Sequence, residues 1–303
     1  MIVFNRLPLR RQFGVAVFSM LMVVACMRSN STPSSDLYFE VKLDQTVWTQ
    51  AAEPQASVWF SRDSNFVQCV GNGKVRKLNK VISELSVGNV LFGRGCGNIV
   101  VLMPEAAQKD IPPDDRLAVA RHEAFHAMAQ LAIEHKIRLD LVASSELIDK
   151  RQEDIAVASF FENLAGSLDR GGHNETCNLL SEGFKNLSDS EQISINWQSY
   201  IEWPAEFYMA ESLFANNERG YLLLRHKSLE KGRINWRYIA GYRAMNLIDG
   251  RVGRRNWQRM YNNGVAPLDL LGQALGCNEP ILSFSPIVDM RPSKLPDFFR
   301  ENF

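Results

Sequence analysis

The sequence lacks an excess of either charge sign. Its 303 residues contain 34 lysines and arginines against 34 aspartates and glutamates, so the formal net charge at pH 7 is zero. No long basic block appears along the chain. Because recognition of nucleic acid depends on concentrated positive charge, we expect no nucleic-acid partner.

The chain also lacks an N-terminal apolar run long enough to cross a membrane. The run from Phe13 to Ala25 is far shorter than the roughly 20 residues that a membrane span needs. It follows a positively charged stretch that contains Arg6, Arg10 and Arg11. This arrangement predicts a secretion signal over residues 1–25.

The end of this signal carries a more specific pattern. Val23-Val24-Ala25-Cys26 resembles the lipobox of bacterial lipoproteins. The resemblance implies that Cys26 is lipidated, becomes the new N-terminus and anchors the protein on the extracytoplasmic side of the cell envelope. Met27 stands where an aspartate would act as a retention signal, which favours the outer membrane if the organism has one. An ordinary cleavable signal with an incidental cysteine and an uncleaved anchor are the alternatives. Residues 26–36 are predicted to form a flexible tether.

The cysteines are spaced too widely for a cysteine-based zinc site, because no CxxC pair is present. The chain has five cysteines, and assigning Cys26 to lipid leaves an even set in an oxidising compartment. Three pairings of that set are possible. We favour Cys69 with Cys96 and Cys177 with Cys277, because each disulfide then lies within one structural region.

The sequence patterns of the mature chain change once along its length, from strand-like to helical. Between residues 37 and 110, strand-like apolar runs alternate with Gly, Asn and Asp turn signals. The predicted strands are Ser57–Phe60, Phe66–Val70, Val90–Phe92 and Asn98–Met103, with a helix over Lys77–Leu85. Residues 111–303 show helical patterns, including Glu146–Leu168 and Pro204–Asn216. We therefore predict one α+β domain over residues 37–303, with a small N-terminal mixed sheet and a helical C-terminal half.

The most specific chemical signal is the sequence HEAFH, which contains His122, Glu123 and His126. Histidines four apart on a helix project from the same side and can bind one Zn²⁺, while the glutamate reaches a metal-bound water. Such a motif arises by chance on the order of once in 200 chains of this kind, so its context matters. Pro112 and Pro113 precede a helical apolar pattern, which places the motif within a helix.

A catalytic zinc site usually has three protein ligands and one open position. The HExxHxxGxxH pattern is excluded, because Ala129 and Ala132 replace its glycine and its third histidine. A glutamate on a second helix is the remaining common solution. Glu146 has nearly the spacing of thermolysin-like enzymes, but its polar neighbours are typical of a helix start. We favour Glu206, which follows Pro204 among bulky apolar residues on a predicted core helix.

The PAEF segment that contains Glu206 also resembles a known family. Together with a following aromatic residue and a second glutamate, it is similar to the glutamate helix of gluzincin metallopeptidases, in the group of Mlc titration factor A and the anthrax lethal factor protease domain. The resemblance covers the two motif segments. It implies a zincin-like fold in which the zinc ligands are His122, His126 and Glu206. It further implies Glu123 as general base and Tyr200 as a tyrosine that assists the transition state.

These patterns predict an exported zinc-dependent peptidase, anchored through Cys26, that hydrolyses polypeptide substrates. The strand Asn98–Met103 is a candidate sheet edge for aligning an extended peptide, or else an ordinary buried strand. A non-catalytic envelope lipoprotein, in which HEAFH is accidental or degenerate, is an alternative of a different class. That alternative predicts that the side chains of His122, His126 and Glu206 do not converge.

Overall fold

The computed structural model describes residues 37–50, 52–61, 66–71, 74–80, 82–87, 90–95, 97–108, 111–130, 155–215, 217–229 and 236–277. Five predictions lie outside the described residues: the signal over 1–25, the tether over 26–36, the lipidation of Cys26, the position of Cys96 and the role of Glu146.

Seven strands form the N-terminal half of the described structure: β1 (Leu37–Lys42), β2 (Gln55–Ser61), β3 (Phe66–Gly71), β4 (Lys74–Lys80), β5 (Ile82–Val87), β6 (Val90–Gly95) and β7 (Asn98–Pro104). Five of them form a mixed sheet in the order β1-β2-β7-β6-β5, and β3 pairs with β4 as a separate hairpin. β2 and β7 run parallel, with Val58 opposite Val101, and the other pairs are antiparallel. The four predicted strands are confirmed.

β7 lies inside the sheet, between β2 and β6. Its residues Val100, Val101 and Leu102 are buried, as is most of β2. Apolar side chains on both faces are typical of a strand in the interior of a sheet. The interpretation of Asn98–Met103 as a buried strand is confirmed. The prediction of a substrate-aligning edge there is wrong, because β2 and β6 occupy both of its hydrogen-bonding sides.

The predicted helix over Lys77–Leu85 is wrong. This segment spans the end of β4 and the start of β5, which pair antiparallel with β3 and β6. The β-branched residue Ile82 favours a strand. Pairing with neighbouring strands therefore outweighs the weak helical spacing of the apolar residues.

Helices form most of the remaining described structure. α1 (Glu105–Gln108) follows β7, and a 3₁₀ turn (Pro113–Asp115) leads into α2 (Arg116–Phe125). The other helices are α3 (Ile155–Asp169), α4 (His173–Asn178), α5 (Asp189–Phe214), α6 (Glu218–Leu229), α7 (Trp236–Val252), α8 (Arg254–Asn262) and α9 (Pro267–Leu275). Single π-helical turns extend α2 over His126–Gln130 and α4 over Leu179–Gly183. The predicted α+β class is confirmed. Among the helices described, none combines the length and the apolar character that a membrane crossing requires.

α5 is capped by Ser188 and does not start at Pro204. The Ser188 side chain accepts from the Glu191 backbone, and the Glu191 carboxylate accepts from the Ser188 backbone, which forms a capping box. Pro204 lies inside the helix, so the prediction of a helix start there is wrong. Because proline has no N–H, the Tyr200 carbonyl loses its helical partner. The Tyr261 hydroxyl donates to that carbonyl instead, at 2.9 Å.

The packing of α2 and α5 brings the two motif segments together. α2 packs against β1 and β2 as well as against α5, and its small residues Ala120 and Ala124 are fully buried. α5 also packs against α7, where Gly241 lies on the Trp203 ring. A Cβ at position 241 would lie only 2.4 Å from Cδ1 of Trp203. Glycine therefore permits the close approach of α7 to the part of α5 that precedes Glu206.

A disulfide between Cys177 and Cys277 joins α4 to the segment just after α9. The predicted pairing of these two cysteines is confirmed. Cys69 lies in β3. Its pairing with Cys96 stays a prediction, because Cys96 is outside the described residues.

Candidate metal centre

The three motif residues lie together on α2 and its π-helical extension. One ligand atom from each of His122, Glu123 and His126 lies within 4.8 Å of the others. The two imidazole rings are 4.8 Å apart and nearly perpendicular, at 79°. The Phe92 ring on β6 packs edge-on against His126, with 6.4 Å between ring centroids. The sheet and α2 thus hold the histidines in a buried and defined arrangement.

α5 contributes a carboxylate that the sequence patterns did not indicate. Oε2 of Glu202 is hydrogen bonded to Nε2 of His122 at 3.1 Å, and the Glu202 side chain is 13% exposed. Two ligands of one tetrahedral zinc ion, each bound at about 2.0–2.1 Å, are about 3.3 Å apart. The separation of these two atoms is therefore compatible with a shared cation.

Glu206, the predicted third ligand, lies one turn further along α5 and faces the other nitrogen of His122. Its Oε2 is 3.2 Å from Nδ1 of His122, close but not aligned as a hydrogen bond, and its side chain is fully buried. Arg225 on α6 binds both carboxylate oxygens, and Tyr221 donates to Oε1 at 2.6 Å. Glu206 therefore contacts His122 on the Nδ1 side of its ring, and Arg225 balances the Glu206 charge.

His126 has a different partner. Its Nδ1 is hydrogen bonded to the side-chain oxygen of Gln130, at the end of the π-helical turn. The Gln130 amide nitrogen donates to the Ile201 carbonyl at 2.7 Å and to the Tyr261 hydroxyl at 2.9 Å. Gln130 is fully buried, so these contacts are shielded from water. The two histidines are thus supported by different kinds of side chain.

Burial and charge act on these groups in opposite directions. Burial lowers the pKa of His122, but Glu202 and the neighbouring carboxylates raise that pKa to about 10. Burial lowers the pKa of His126 to about 4 and raises the pKa of Glu123 to about 7. Burial also opposes the ionisation of Glu202, but Arg237 and His122 hold the pKa of that carboxyl well below its usual range. The cluster therefore balances a charged imidazole against nearby carboxylates.

Two tyrosines take different positions around the site. The Tyr200 ring packs against the Tyr261 ring, with centroids 4.7 Å apart, and its hydroxyl donates to the Tyr261 carbonyl at 3.1 Å. The Tyr238 ring on α7 lies edge-on against His122, with centroids 5.5 Å apart. Arg237 donates to the Tyr238 hydroxyl at 2.9 Å, and its own Nε is buried without a hydrogen-bond partner in the structure described.

The structure thus brings His122, Glu123 and His126 together and places Glu206 against Nδ1 of His122. The Tyr200 hydroxyl is bonded to the Tyr261 carbonyl on α8. Sequence patterns missed Glu202, although it precedes Glu206 by four residues and so shares a face of the helix. The signal that could have identified it is the capping box at the start of α5, which places both glutamates within one helix.

Comparison with known proteins assigns no relative: the chain matches no family model, no curated protein and no solved structure. The structure shows the His-Glu-x-x-His cluster on α2, and the gluzincin resemblance stays a prediction. The function of the protein has to be inferred from the geometry and chemistry of the site.

Proposed function

We propose that the protein is a zinc-dependent hydrolase of peptide bonds, with His122, His126 and Glu202 as its metal ligands. The observation that carries the proposal is the 3.1 Å separation of Nε2 of His122 and Oε2 of Glu202, beside the HEAFH cluster. Two imidazoles and a glutamate are a ligand set of catalytic zinc sites, which keep a fourth position open. The proposal keeps both predicted histidines and moves the third ligand from Glu206 to Glu202.

The surroundings of the two glutamates favour this change. Glu206 is bound at both oxygens by Arg225, so a cation would have to compete with a fixed guanidinium. Glu202 faces Nε2 of His122 and retains some exposure to solvent. A carboxylate on Nδ1 of a ligating histidine instead orients the ring and raises its basicity. We assign that supporting role to Glu206.

Glu123 is the proposed general base. A zinc ion in such a site lowers the pKa of a bound water toward neutrality and polarises the carbonyl to be attacked. Glu123 follows His122 directly and lies within the same cluster. Its carboxylate can accept a proton from the attacking water and return it to the leaving amine. One residue then serves both proton transfers of peptide hydrolysis.

Tyr238 is the proposed donor to the oxyanion that develops on the peptide carbonyl. The Tyr238 ring contacts His122, and Arg237 holds the Tyr238 hydroxyl in a hydrogen bond. The Arg237 guanidinium adds positive charge beside that hydroxyl. Such donors stabilise developing negative charge most effectively when they are fixed in advance. Tyr238 therefore takes the role that the sequence patterns predicted for Tyr200.

The proposed location is the cell envelope, on the extracytoplasmic side, with a lipid anchor on Cys26 and unfolded or flexible polypeptide as substrate. The Cys177–Cys277 disulfide supports export, since disulfides persist in oxidising compartments and are rare in the cytosol.

The first test is the zinc content of the full chain, purified in detergent and measured by elemental analysis. We expect stoichiometric zinc in the parent protein and in Glu123→Gln, because this substitution leaves the ligands in place. Hydrolysis of an unfolded polypeptide should fall about 10²–10⁴-fold in Glu123→Gln, the usual contribution of a positioned acid–base group. A parent without zinc contradicts the metal site, and full cleavage by Glu123→Gln contradicts the general base. Zinc binding without any hydrolysis by the parent favours the non-catalytic alternative.

A further inference from the structure

A buried hydrogen-bond network surrounds the side chain of Gln130, next to the histidines. Gln130 contacts Nδ1 of His126, the Ile201 carbonyl and the Tyr261 hydroxyl. The Tyr261 hydroxyl in turn donates to the Tyr200 carbonyl at 2.9 Å. The network thus links the end of α2 to α5 and α8, three elements that are distant in sequence.

Pro204 creates an acceptor for this network. Within α5, a residue with an N–H at position 204 would donate to the carbonyl of Tyr200, four residues earlier, but proline has none. A buried carbonyl without a partner is costly, so the Tyr261 hydroxyl that pairs with it is firmly held. The interruption of α5 therefore fixes the orientation of Tyr261.

The network also fixes which way the Gln130 amide points. The Ile201 carbonyl can only accept, so the amide nitrogen of Gln130 must face it and donate. The Tyr261 hydroxyl donates to Tyr200, so it accepts from the second N–H of Gln130. The Gln130 oxygen is left for Nδ1 of His126, which must therefore carry the proton. Nε2 of His126 then bears the lone pair that a metal ligand needs.

We propose that Gln130 is a positioning residue that selects the Nδ1-protonated tautomer of His126 and directs Nε2 to the metal site. This inference rests on the proposed zinc function, although the tautomer itself can be observed without metal. His122 has a different partner: Oε2 of Glu206 lies close to Nδ1 of His122, and Arg225 binds that glutamate. The outer partner of His122 is thus the charged Glu206, and the outer partner of His126 is the neutral Gln130. Outer partners of both kinds tune zinc affinity.

The variant that tests the inference is Gln130→Met, which removes every hydrogen bond of the amide at similar side-chain volume. The matched control is Gln258→Met on α8. Gln258 is also fully buried, donates to the Val47 carbonyl at 2.7 Å and accepts from the Thr49 backbone at 2.9 Å. The loss of a buried amide is then common to both variants. The His126 tautomer of the parent chain still tests the inference if Gln130→Met does not fold.

The first readout is the tautomer of His126 in the metal-free full chain, determined from its two ring ¹⁵N chemical shifts. We expect the Nδ1-protonated form in the parent and in Gln258→Met, and a mixture of tautomers in Gln130→Met. The second readout is zinc affinity, measured by competition with a chelator. It should fall about 10–100-fold in Gln130→Met relative to Gln258→Met, as is usual for the loss of an outer partner.

Two results would overturn the inference: a parent His126 protonated on Nε2, or equal zinc affinities in Gln130→Met and Gln258→Met. If the tautomer responds as expected but the parent binds no zinc, the proposed function fails and the control of His126 by Gln130 stands.

Discussion

The charged residues around Glu202 and Glu206 of α5 form an inner half and an outer half, and the two carboxylates have different partners. In the inner half, formed by Glu206, Arg225 and Tyr221, a carboxylate is bound by a guanidinium and a phenol. In the outer half, formed by Glu202 and the HEAFH residues, a carboxylate oxygen and an imidazole nitrogen face each other at 3.1 Å. In the inner half the carboxylate is paired with a guanidinium, which keeps its charge, whereas in the outer half the carboxylate is paired with an imidazole, which can release its proton and bind a cation.

This difference shows why burial alone is a poor guide to a metal ligand. A buried carboxylate needs a compensating partner, and a bound metal is one such partner among several. The complete burial of Glu206 is compensated by Arg225 within the protein. The more useful criterion is which nitrogen of the candidate histidine ligand the carboxylate faces, and this criterion favours Glu202 as the proposed ligand.

Replacement of either glutamate by glutamine is expected to have the largest effect on zinc affinity. Glu202→Gln should lower zinc affinity by more than about 100-fold and abolish hydrolysis, because it removes a ligand. Glu206→Gln should lower zinc affinity by about 10–100-fold, the range for an outer partner. Chelator competition on both variants measures the difference. A larger loss in Glu206→Gln would return the third-ligand role to the residue that the sequence predicts.

Removal of the proposed oxyanion donor is expected to have the next largest effect. Tyr238→Phe should lower kcat about 10²–10³-fold at unchanged zinc content, because it removes a donor to the transition state. Tyr200→Phe is the comparison variant, since the Tyr200 hydroxyl donates to the Tyr261 carbonyl. Steady-state kinetics on both variants decide between the two tyrosines, and a greater loss of kcat in Tyr200→Phe would restore the sequence-based prediction.

The ion pair of the inner half can be tested by a single variant and a double variant. Arg225→Met should lower the free energy of unfolding by about 3 kcal/mol, because it leaves the buried Glu206 charge uncompensated. The double variant Arg225→Met with Glu206→Met should recover most of that loss, since both charges are then absent. Urea denaturation of the metal-free protein measures both. No recovery in the double variant would mean that Glu206 stabilises the fold through contacts other than Arg225.

Loss of the disulfide should affect the site least. Replacing Cys177 and Cys277 by serine should lower the free energy of unfolding by about 2–5 kcal/mol. Zinc affinity and kcat of the folded protein should stay the same, because neither cysteine belongs to the cluster. Thermal unfolding and the zinc competition assay test the two parts. A changed zinc affinity would show that the disulfide also shapes the metal centre.

Local signals predicted the histidine side of the site well. The chemistry of HEAFH depends on a helical spacing of four, and α2 provides that spacing. Four strands were identified for the same reason, since their apolar patterns are local. The segment Lys77–Leu85 was assigned wrongly, because its pairing partners lie in β3 and β6 and outweigh a weak local pattern.

The glutamate side could be predicted only in part. A helix start at Pro204 left Glu202 outside the helix, although the capping box at Ser188 and Glu191 is a local signal for the true start. The contacts of Gln130 could not be predicted in this way, because Gln130 and Tyr261 are 131 residues apart. Such contacts exist only once α2, α5 and α8 have packed together.

The Cys177–Cys277 disulfide separates the residues of the candidate metal centre into two parts of the chain. It closes a ring of chain with a sequence separation of 100, and this ring contains Glu202 and Tyr238. α2 and its histidines lie outside the ring. A cation held by His122, His126 and Glu202 would therefore act as a second cross-link, joining an open segment of the chain to a covalently closed one.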